Sequence, residues 1–461
     1  MKVRLLFTFL LFLLLSLPVF SVYHRGGHSR GILSQNQLDQ VSPRVILPVY
    51  IRLQALEKGN VTLWESIPQN FTDHVAAIDS SIVAMFVSSN SVGFNLSKDS
   101  VGNLWMAANY SLKAGDYFGT MAWVTSETVS ENLTSIGYVP FTQNYAEDVK
   151  HFLESGRKID AGNETIQTLA ANLNQAQNNM TQTVKNILDY VNMQGYDRNK
   201  TRQLLSGNLN ATDMLDVFKD ALEVHDTNSS ICLERSWYAA AILRAVGVPT
   251  RTVTDVRLKT WIQVWFPNVG WVDGETLCVE PALHVVTLPK SVSAHVPWMI
   301  ENSSDAAFPF TWLPEVPLRV ANLTFAQVEF FDVSQYQTVL SRPVKAELFK
   351  NDPAKFRFPI GVKSEVIYGA VTEEESNLVF SVFKGKENVS EVLALGEYNS
   401  IVLSDTAVSF KPTLHEGFLV LQGFTVQDVW MFDYRILFPI VGVPVVLLVI
   451  WLFIRRSRHG S

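Results

Sequence analysis

The alternation of hydrophobic and polar positions divides the chain into a β-rich, a helix-rich and a second β-rich region. Between residues 45 and 140, short runs rich in aromatic and β-branched residues are separated by turns that contain glycine or charged residues, which is typical of strands. The strands predicted there are 45–53, 82–87, 104–112 and 117–124. We therefore expect residues 45–140 to form a small N-terminal β domain.

Apolar residues recur every three or four positions between residues 145 and 245, and this spacing predicts amphipathic helices. The run 184–191 shows the spacing most clearly. The last helix is predicted to begin at Cys232 and to run to about Ala245, because a glycine and a proline follow it.

Short strands are predicted next, at 251–255, 261–266 and 271–273. Apolar runs then recur between turns from about residue 310 to residue 430, which favours a β-sandwich; they are 326–331, 344–349, 378–383 and 418–421. The predicted fold class is α+β, with a mixed core over 145–290 between the N-terminal β domain and a C-terminal β-sandwich over 305–430.

The N-terminus has the parts of a secretory signal. Two basic residues lie within the first four positions, and the apolar run 5–20 follows them. We expect residues 1–21 to be a cleaved signal peptide, with an uncleaved N-terminal anchor as the alternative. Either segment exports the chain, and the polar residues 22–44 are predicted to be a linker.

The C-terminus carries a candidate membrane span. Residues 436–454 are apolar and uncharged, and a helix of this length would be about 28 Å long, close to the thickness of the hydrocarbon layer. Arg455, Arg456 and Arg458 follow, which favours a cytoplasmic tail over 455–461. A single-pass protein of the cell membrane with an extracellular ectodomain is predicted.

Acceptor sequences for N-linked glycans support export independently. Asn-x-Ser/Thr occurs at thirteen positions, all between the two apolar ends. These asparagines are Asn60, Asn70, Asn95, Asn109, Asn132, Asn163, Asn179, Asn199, Asn210, Asn228, Asn302, Asn322 and Asn388. A glycoprotein is therefore expected.

The charge distribution argues against some classes of partner. The formal net charge is -7, but the first thirty and last seven residues carry seven Lys or Arg and no Asp or Glu, so that 30 basic and 44 acidic residues remain between them. An acidic exterior disfavours nucleic acid as a partner. The expected partners are the membrane and a protein or cell-envelope component, and no cofactor or metal is predicted.

Two blocks around the predicted Cys232 helix resemble the transglutaminase-like, papain-fold domains. Residues 230–251 are similar to that family's cysteine block, in which a helix follows the cysteine and Arg-Ala-x-Gly-Val-Pro closes it. Residues 259–275 are similar to its His-Ala-Trp block with a following Gly-Trp-x-x-x-Asp. The resemblance covers about residues 145–290 and implies a papain-type core with a Cys-His-Asp triad.

The triad that this resemblance implies is degenerate. The family's nucleophile maps onto Cys232, its histidine onto Lys259 and its aspartate onto Glu275, and no histidine occurs from residue 226 to residue 283. An ordinary lysine has a pKa near 10.4, far above the near-neutral value that suits proton transfer. Lys259 would need burial to lower its pKa by about three units before it could act as an acid–base group.

Three interpretations of Cys232 are open at this point. It could be an active nucleophile in a Cys-Lys-Glu variant, a remnant thiol in a non-catalytic domain, or one half of a disulfide with Cys278, the only other cysteine. Cys278 lies three residues beyond the family's aspartate position, so that the disulfide is geometrically reasonable.

Other candidates are weaker. His24 and His28 are expected to be solvated in the linker, and the acidic run 373–375 is expected to be a solvated turn. His284 and His295 follow the core, and His284 is a candidate substitute base. The tryptophans of the second block are expected to serve packing, with a sugar platform as the alternative; they are Trp261, Trp265 and Trp271.

Two functions are carried forward from the sequence. The first is a membrane-anchored extracellular glycoprotein whose transglutaminase-like domain is non-catalytic and serves cell-surface binding or scaffolding, because the expected histidine and aspartate are replaced. The alternative is a surface cysteine-dependent amidase, peptidase or acyl-transferase that uses Cys232.

Overall fold

The computed structural model describes residues 44–428 with gaps. The gaps are 69, 74, 89, 176–177, 206–208, 257, 278–285, 287, 294, 302–305, 324–335, 341–343, 346–357, 364, 375–376 and 416–417. Several sequence predictions lie outside the described residues; they are the signal 1–21, nearly all of the linker 22–44, the strand 326–331, the span 436–454, the tail 455–461, His24, His28, Cys278, His284 and Asn302.

The N-terminal β domain is a sandwich of long antiparallel strands, as the alternating pattern predicts. Its strands are β1 (Arg44–Ala55), β2 (Gly59–Ile67), β3 (Phe71–Thr72), β4 (Ala76–Ser88), β5 (Ser91–Lys98), β6 (Leu104–Leu112) and β7 (Tyr117–Glu131). In one layer β1 and β4 both pair with β7. In the other layer β6 lies between β2 and β5.

The core that follows contains helices and short strands, in the order that the periodicity predicts. The helices are α1 (Glu147–Lys150), α2 (Glu164–Leu173), α3 (Met180–Asn192), α4 (Arg198–Leu205), α5 (Ala221–Thr227) and α6 (Cys232–Ala245). The strands are β8 (Gly195–Tyr196), β9 (Leu209–Ala211), β10 (Ser229–Ser230), β11 (Thr250–Asp255), β12 (Thr260–Phe266), β13 (Gly270–Gly274) and β14 (Pro297–Ile300).

Helix α6 is the centre of this core. Every residue from Leu233 to Arg244 is buried, and the apolar face of β12, which includes Ile262 and Val264, lies in the same hydrophobic cluster as the helix. In the described part of the core, β13, β12, β11 and β14 form one antiparallel sheet in that order. The fold therefore holds the first turn of α6 near the ends of β12 and β13.

The strands after the core belong to two different β units. The first two are β15 (Phe310–Leu313) and β16 (Leu318–Leu323). β15 pairs with β2, and β16 pairs with β1 and β9. The expected domain boundary at residue 305 therefore does not coincide with a boundary between sheets, because these two strands complete the N-terminal sandwich and make the core an insertion in it.

The C-terminal strands form a second sandwich with a hydrophobic cluster of its own. They are β17 (Tyr336–Leu340), β18 (Val344–Lys345), β19 (Phe358–Lys363), β20 (Glu365–Glu374), β21 (Asn377–Lys384), β22 (Glu387–Val392), β23 (Asn399–Val402), β24 (Thr406–His415) and β25 (Phe418–Asp428). β17 pairs with both β25 and β4, so that one sheet runs through both sandwiches.

Among the described residues, no helix is both long enough and apolar enough to span a membrane. The predicted C-terminal span therefore stays a prediction.

Candidate functional site

Cys232 is the first residue of helix α6, as the sequence predicts, and its side chain is half-buried. The carboxylate of Glu234 accepts a hydrogen bond from the Ile231 backbone N–H at 3.0 Å, which fixes the start of the helix. Glu234 is itself fully buried and pairs with Lys200 at 2.6 Å. The cysteine is thus held in a rigid first turn, where backbone N–H groups favour negative charge.

The sulfur of Cys232 is disulfide-bonded, and none of the described cysteines is free. Cys278 is the only other cysteine of the chain. A disulfide sulfur carries no thiolate, and the thiolate is the nucleophilic form of cysteine. In this state of the protein, Cys232 cannot attack a substrate carbonyl.

Three side chains fix the segment that leads from the Glu275 position towards Cys278. Asn192 accepts a hydrogen bond from the Leu277 N–H at 2.9 Å and donates one to the Glu275 carbonyl at 3.0 Å. The guanidinium of Arg235 donates to the Leu277 carbonyl at 2.6 Å. Thr276 contacts the Ser236 hydroxyl at 2.7 Å, and Ser236 donates to the Cys232 carbonyl at 2.9 Å. The residue before Cys278 is therefore anchored to the first turns of α6.

Lys259 and Glu275, the two substituted triad positions, form an ion pair. The Lys259 ammonium lies 3.3 Å from Glu275 Oε1. Lys259 directly precedes β12, and its backbone N–H donates to the Asp255 carboxylate at 2.9 Å. Leu258 before it has φ 57°, a left-handed conformation that bulky residues rarely adopt. The tight turn between β11 and β12 thus positions the lysine.

A second lysine that the sequence interpretation missed completes this group. The Lys290 ammonium lies 2.9 Å from Glu275 Oε2, and its side chain is almost fully buried. Its backbone N–H donates to the Asp273 carbonyl at 2.9 Å, which places Lys290 beside β13. Lys290 lies in a region without periodicity or motif, so that no signal in the sequence identifies it.

The pKa values in this cluster are strongly shifted. Burial and the neighbouring Lys290 ammonium lower the pKa of Lys259 to about 8, against the opposing attraction of Glu275. Burial alone would raise the pKa of Glu275, but the charges of Lys290 and Lys259 outweigh it and lower that pKa to about 2. Glu275 is therefore a permanent anion at neutral pH.

The structure also brings His295 to the cluster, whereas the sequence favoured His284 as the substitute base. His295 Nδ1 lies 2.8 Å from the Asp255 carboxylate, and its Nε2 lies 3.3 Å from the Lys290 ammonium. Burial and the Lys290 charge lower the pKa of His295 to about 3, so that the ring is neutral at physiological pH. Its ring packs against Trp261 with centroids 4.9 Å apart.

This arrangement neutralises the charge around Glu275. The Lys259 and Lys290 ammonium groups both pair with Glu275, whereas the Asp255 carboxylate accepts the Lys259 backbone N–H and contacts His295. A general base must reach a nucleophile that can lose its proton, but the sulfur of Cys232 is already bonded. Among the described residues, no group of three or more metal-ligating side chains could hold a metal ion.

The remaining side chains on this face of the sheet form a polar layer away from the cysteine. The indole N–H of Trp261 donates to the Asp273 carboxylate at 2.7 Å, and Gln263 donates to Asp273 at 3.1 Å and to Asp73 at 2.9 Å. Burial and the charge of Asp73 raise the pKa of Asp273 to about 7. Trp261 is fully buried, as expected for a packing residue.

The order of these elements matches a known family. The sequence model of the transglutaminase-like superfamily matches residues 167–276, which run from α2 to just past β13 and include Cys232, Lys259 and Glu275. The chain contains a transglutaminase-like domain. The predicted transglutaminase-like domain is thus confirmed over residues 167–276.

Solved structures with a likeness to the chain lie at low identity. One is the "Putative Cysteine Protease" from Cytophaga hutchinsonii, with 13% identity, a TM-score of 0.42 and coverage of 64% of this chain and 96% of that one. Another is a "Putative Protease" from Parabacteroides distasonis, with 8% identity, a TM-score of 0.21 and coverage of 83% and 69%. No curated protein matches the chain.

Proposed function

We propose that the transglutaminase-like domain is a non-catalytic module of a membrane-anchored extracellular glycoprotein, and that it serves binding or scaffolding at the cell surface. The observation that carries this proposal is the state of the three triad positions. Cys232 is disulfide-bonded, and Lys259 and Glu275 are paired with each other. A triad needs a free thiolate and a base that shuttles a proton, and these three residues provide neither.

The surface location rests on further observations. The structure describes the side chains of eleven of the thirteen candidate glycan-bearing asparagines. Nine of these eleven side chains are exposed to solvent; they are Asn60, Asn70, Asn95, Asn109, Asn132, Asn199, Asn210, Asn228 and Asn388. An exposed side chain is required for a bulky glycan. A disulfide is also typical of exported rather than cytosolic proteins.

The experiment compares turnover with and without a reductant. The full-length protein in detergent micelles is incubated with a glutamine-containing peptide and a fluorescent amine, and with fluorogenic peptide amides. We expect no turnover that depends on Cys232 in either condition, so that wild type and Cys232→Ala give equal signals. Turnover that disappears in Cys232→Ala would contradict the proposal.

One observation favours a second candidate function, a cysteine-dependent amidase, peptidase or acyl-transferase that is released by reduction. The pKa of Lys259 is lowered to about 8 by burial and by Lys290, which is close to the range of a useful general base. Under this hypothesis turnover appears only after reduction, and it is lost in both Cys232→Ala and Lys259→Met. The same assay therefore separates the two functions.

A further inference from the structure

A cavity of about 600 Å³ lies at the opposite end of the core sheet from Lys259. Trp265, Asn268 and Trp271 line it from the β12–β13 hairpin, Arg251 from β11, and Thr72 and Asp73 from the N-terminal sandwich. Six residues of extended strand separate Trp265 from Lys259, a distance of roughly 20 Å. The cavity is therefore distinct from the Cys232 region.

Two tryptophans form adjoining walls of this cavity. Trp265 and Trp271 are cross-strand neighbours, and their ring centroids lie 5.4 Å apart at an interplanar angle of 73°. Both side chains are only half-buried. Trp271 also packs perpendicular to Phe152, with ring centroids 5.2 Å apart. The hairpin thus offers rigid, partly exposed aromatic surface at a concave site.

The charged groups of the cavity are already matched. The Arg251 guanidinium lies 3.2 Å from the Asp73 carboxylate and donates to the Gln263 side chain at 2.8 Å. The same guanidinium lies over the Trp271 ring at 4.1 Å, where a ligand cation would otherwise bind. Asp73 already neutralises Arg251, and the nearby Glu301 is paired with Arg244, so that no unmatched cation is left here among the described residues to attract an anionic ligand. A neutral ligand fits this electrostatic balance.

We propose that this cavity binds a neutral oligosaccharide of one to three pyranose units. The volume lies within the range of small-ligand sites. The C–H faces of a pyranose ring are apolar and pack against indole rings, whereas its hydroxyls bond to the exposed Asn268 amide and Thr72 hydroxyl. A proline-rich peptide could also use the tryptophans, but proline has no backbone N–H to offer the cavity, and such a peptide is therefore the competing outcome of the test.

The test measures saturation-transfer NMR on the full-length protein, in a detergent without a sugar headgroup and after treatment with an enzyme that removes N-linked glycans. The neutral probes are maltotriose, cellotriose, mannotriose and N,N′,N″-triacetylchitotriose. The comparison probes are 3′-sialyllactose, which is anionic, and a decaproline peptide. We expect saturation transfer to at least one neutral trisaccharide, and weaker or no transfer to the comparison probes.

Variants then locate the binding. Trp265→Ala is expected to weaken binding by about tenfold or more, because it removes one aromatic wall. Asn268→Gly removes the amide while retaining the turn, since Asn268 has φ 63° and glycine tolerates this conformation. Trp64→Ala, at another half-buried tryptophan in the N-terminal sandwich, is the matched control and should leave binding unchanged.

Three outcomes overturn the proposal. They are no transfer to any neutral trisaccharide, transfer to the decaproline peptide alone, and sugar binding that Trp265→Ala and Asn268→Gly leave unchanged. The result is independent of the proposed function, because sugar binding at this cavity does not involve Cys232 and is measured without a reaction. A catalytic Cys232 and a sugar-binding cavity could therefore each be found without the other.

Discussion

Lys259 and Lys290 hold one carboxylate, that of Glu275, from two sides. Their ammonium groups lie 3.3 and 2.9 Å from its two oxygens. Burying an ion pair costs desolvation energy, so that the pairing itself is weak evidence of stability. Removing one member of this cluster should nevertheless destabilise the protein strongly, because the remaining charges then stay buried without compensation.

We predict that Glu275→Gln lowers the free energy of unfolding by roughly 3–5 kcal/mol, because both lysines lose their shared anion. Urea unfolding at pH 7, followed by tryptophan fluorescence, measures the change. The exposed Glu391 supplies the control, and Glu391→Gln should change stability by less than about 0.5 kcal/mol. A loss below about 1 kcal/mol in Glu275→Gln would mean that the lysines do not depend on this carboxylate.

Lys259 also predicts a pH dependence. Its pKa falls from 10.5 in the unfolded chain to about 8 in the folded protein, so that between these values the unfolded state binds more protons. The wild type should therefore gain stability from this residue as the pH rises from 8 to 10.5. Lys259→Met should lose that gain, while Glu275 stays paired with Lys290.

The measurement is the difference in unfolding free energy between wild type and Lys259→Met at pH 7.5, 9 and 10.5. Exposed lysines contribute equally to both proteins and cancel in this difference. An increase of the difference with pH, in favour of the wild type, is expected. A difference that stays constant over this range would show that Lys259 titrates as an ordinary lysine.

At the scale of elements, the Arg235 side chain connects helix α6 to two neighbouring segments through hydrogen bonds to their backbone carbonyls. This fully buried guanidinium donates to the carbonyls of Gln194 and Gly195 at 2.8 and 3.0 Å, and to that of Leu277 at 2.6 Å. It thereby ties the end of α3 and the segment after β13 to the first turn of α6. The planar fork of arginine can reach these carbonyls at once, whereas a lysine ammonium is a point donor.

We predict that Arg235→Lys destabilises the protein by about 2–4 kcal/mol, because it leaves buried carbonyl groups without donors. Thermal and urea unfolding measure the loss. Arg202→Lys, on the exposed side of helix α4, provides the matched control with the same chemical change and should be nearly neutral. Equal stability of the two variants would contradict the role given to Arg235.

Sequence patterns predicted many of these helices and strands well, because such patterns depend only on residues within the same segment. The predicted strand 104–112 and the helix Cys232–Ala245 agree with the structure to the residue, because alternation and helical spacing are properties of the segment itself. Strands β15 and β16 fall within the range 305–430 expected for the C-terminal sandwich, yet they pair with β2 and β1, because the partner of a strand depends on residues far away in the chain. β16 pairs with a strand more than 260 residues before it.

The candidate site likewise combines residues that local motifs identify with residues that only the tertiary fold brings in. Cys232, Lys259 and Glu275 were found because the two motif blocks fix their order, and the domain match includes all three. Lys290 and Asp255 were missed, and His295 was passed over in favour of His284. These residues reach the site through the turn after β11 and the loop before β14, and only the folded chain brings them next to Glu275.

At the scale of the whole molecule, a buried ion pair connects the N-terminal sandwich to the transglutaminase-like domain. Arg251 of β11 pairs with Asp73, which lies between β3 and β4. A hydrophobic cluster adjoins this contact and contains Phe71 and Ile78 from the sandwich and Trp261 from the core. The two parts are therefore joined by both packing and charge.

We predict that Asp73→Ala costs roughly 3–5 kcal/mol, because Arg251 then loses its carboxylate in a buried position. The double variant Asp73→Ala/Arg251→Met should cost less than the sum of the two single variants, with a coupling of about 0.5–3 kcal/mol. Guanidinium unfolding of the four proteins measures the cycle. Asp148→Ala, at an exposed aspartate, is the control, and additive single effects would contradict the coupling.

The insertion of the transglutaminase-like domain into the N-terminal sandwich has a consequence for biosynthesis. Ile51 on β1 pairs with Leu323 on β16, and a ribosome that adds about 5–20 residues per second needs roughly 15–55 s to make the chain between them. During that time β1 has β7 on one side and a bare edge on the other. An unpaired strand edge is a template for wrong pairing. Wrong pairing at this edge is therefore open to the nascent chain until synthesis has passed residue 323.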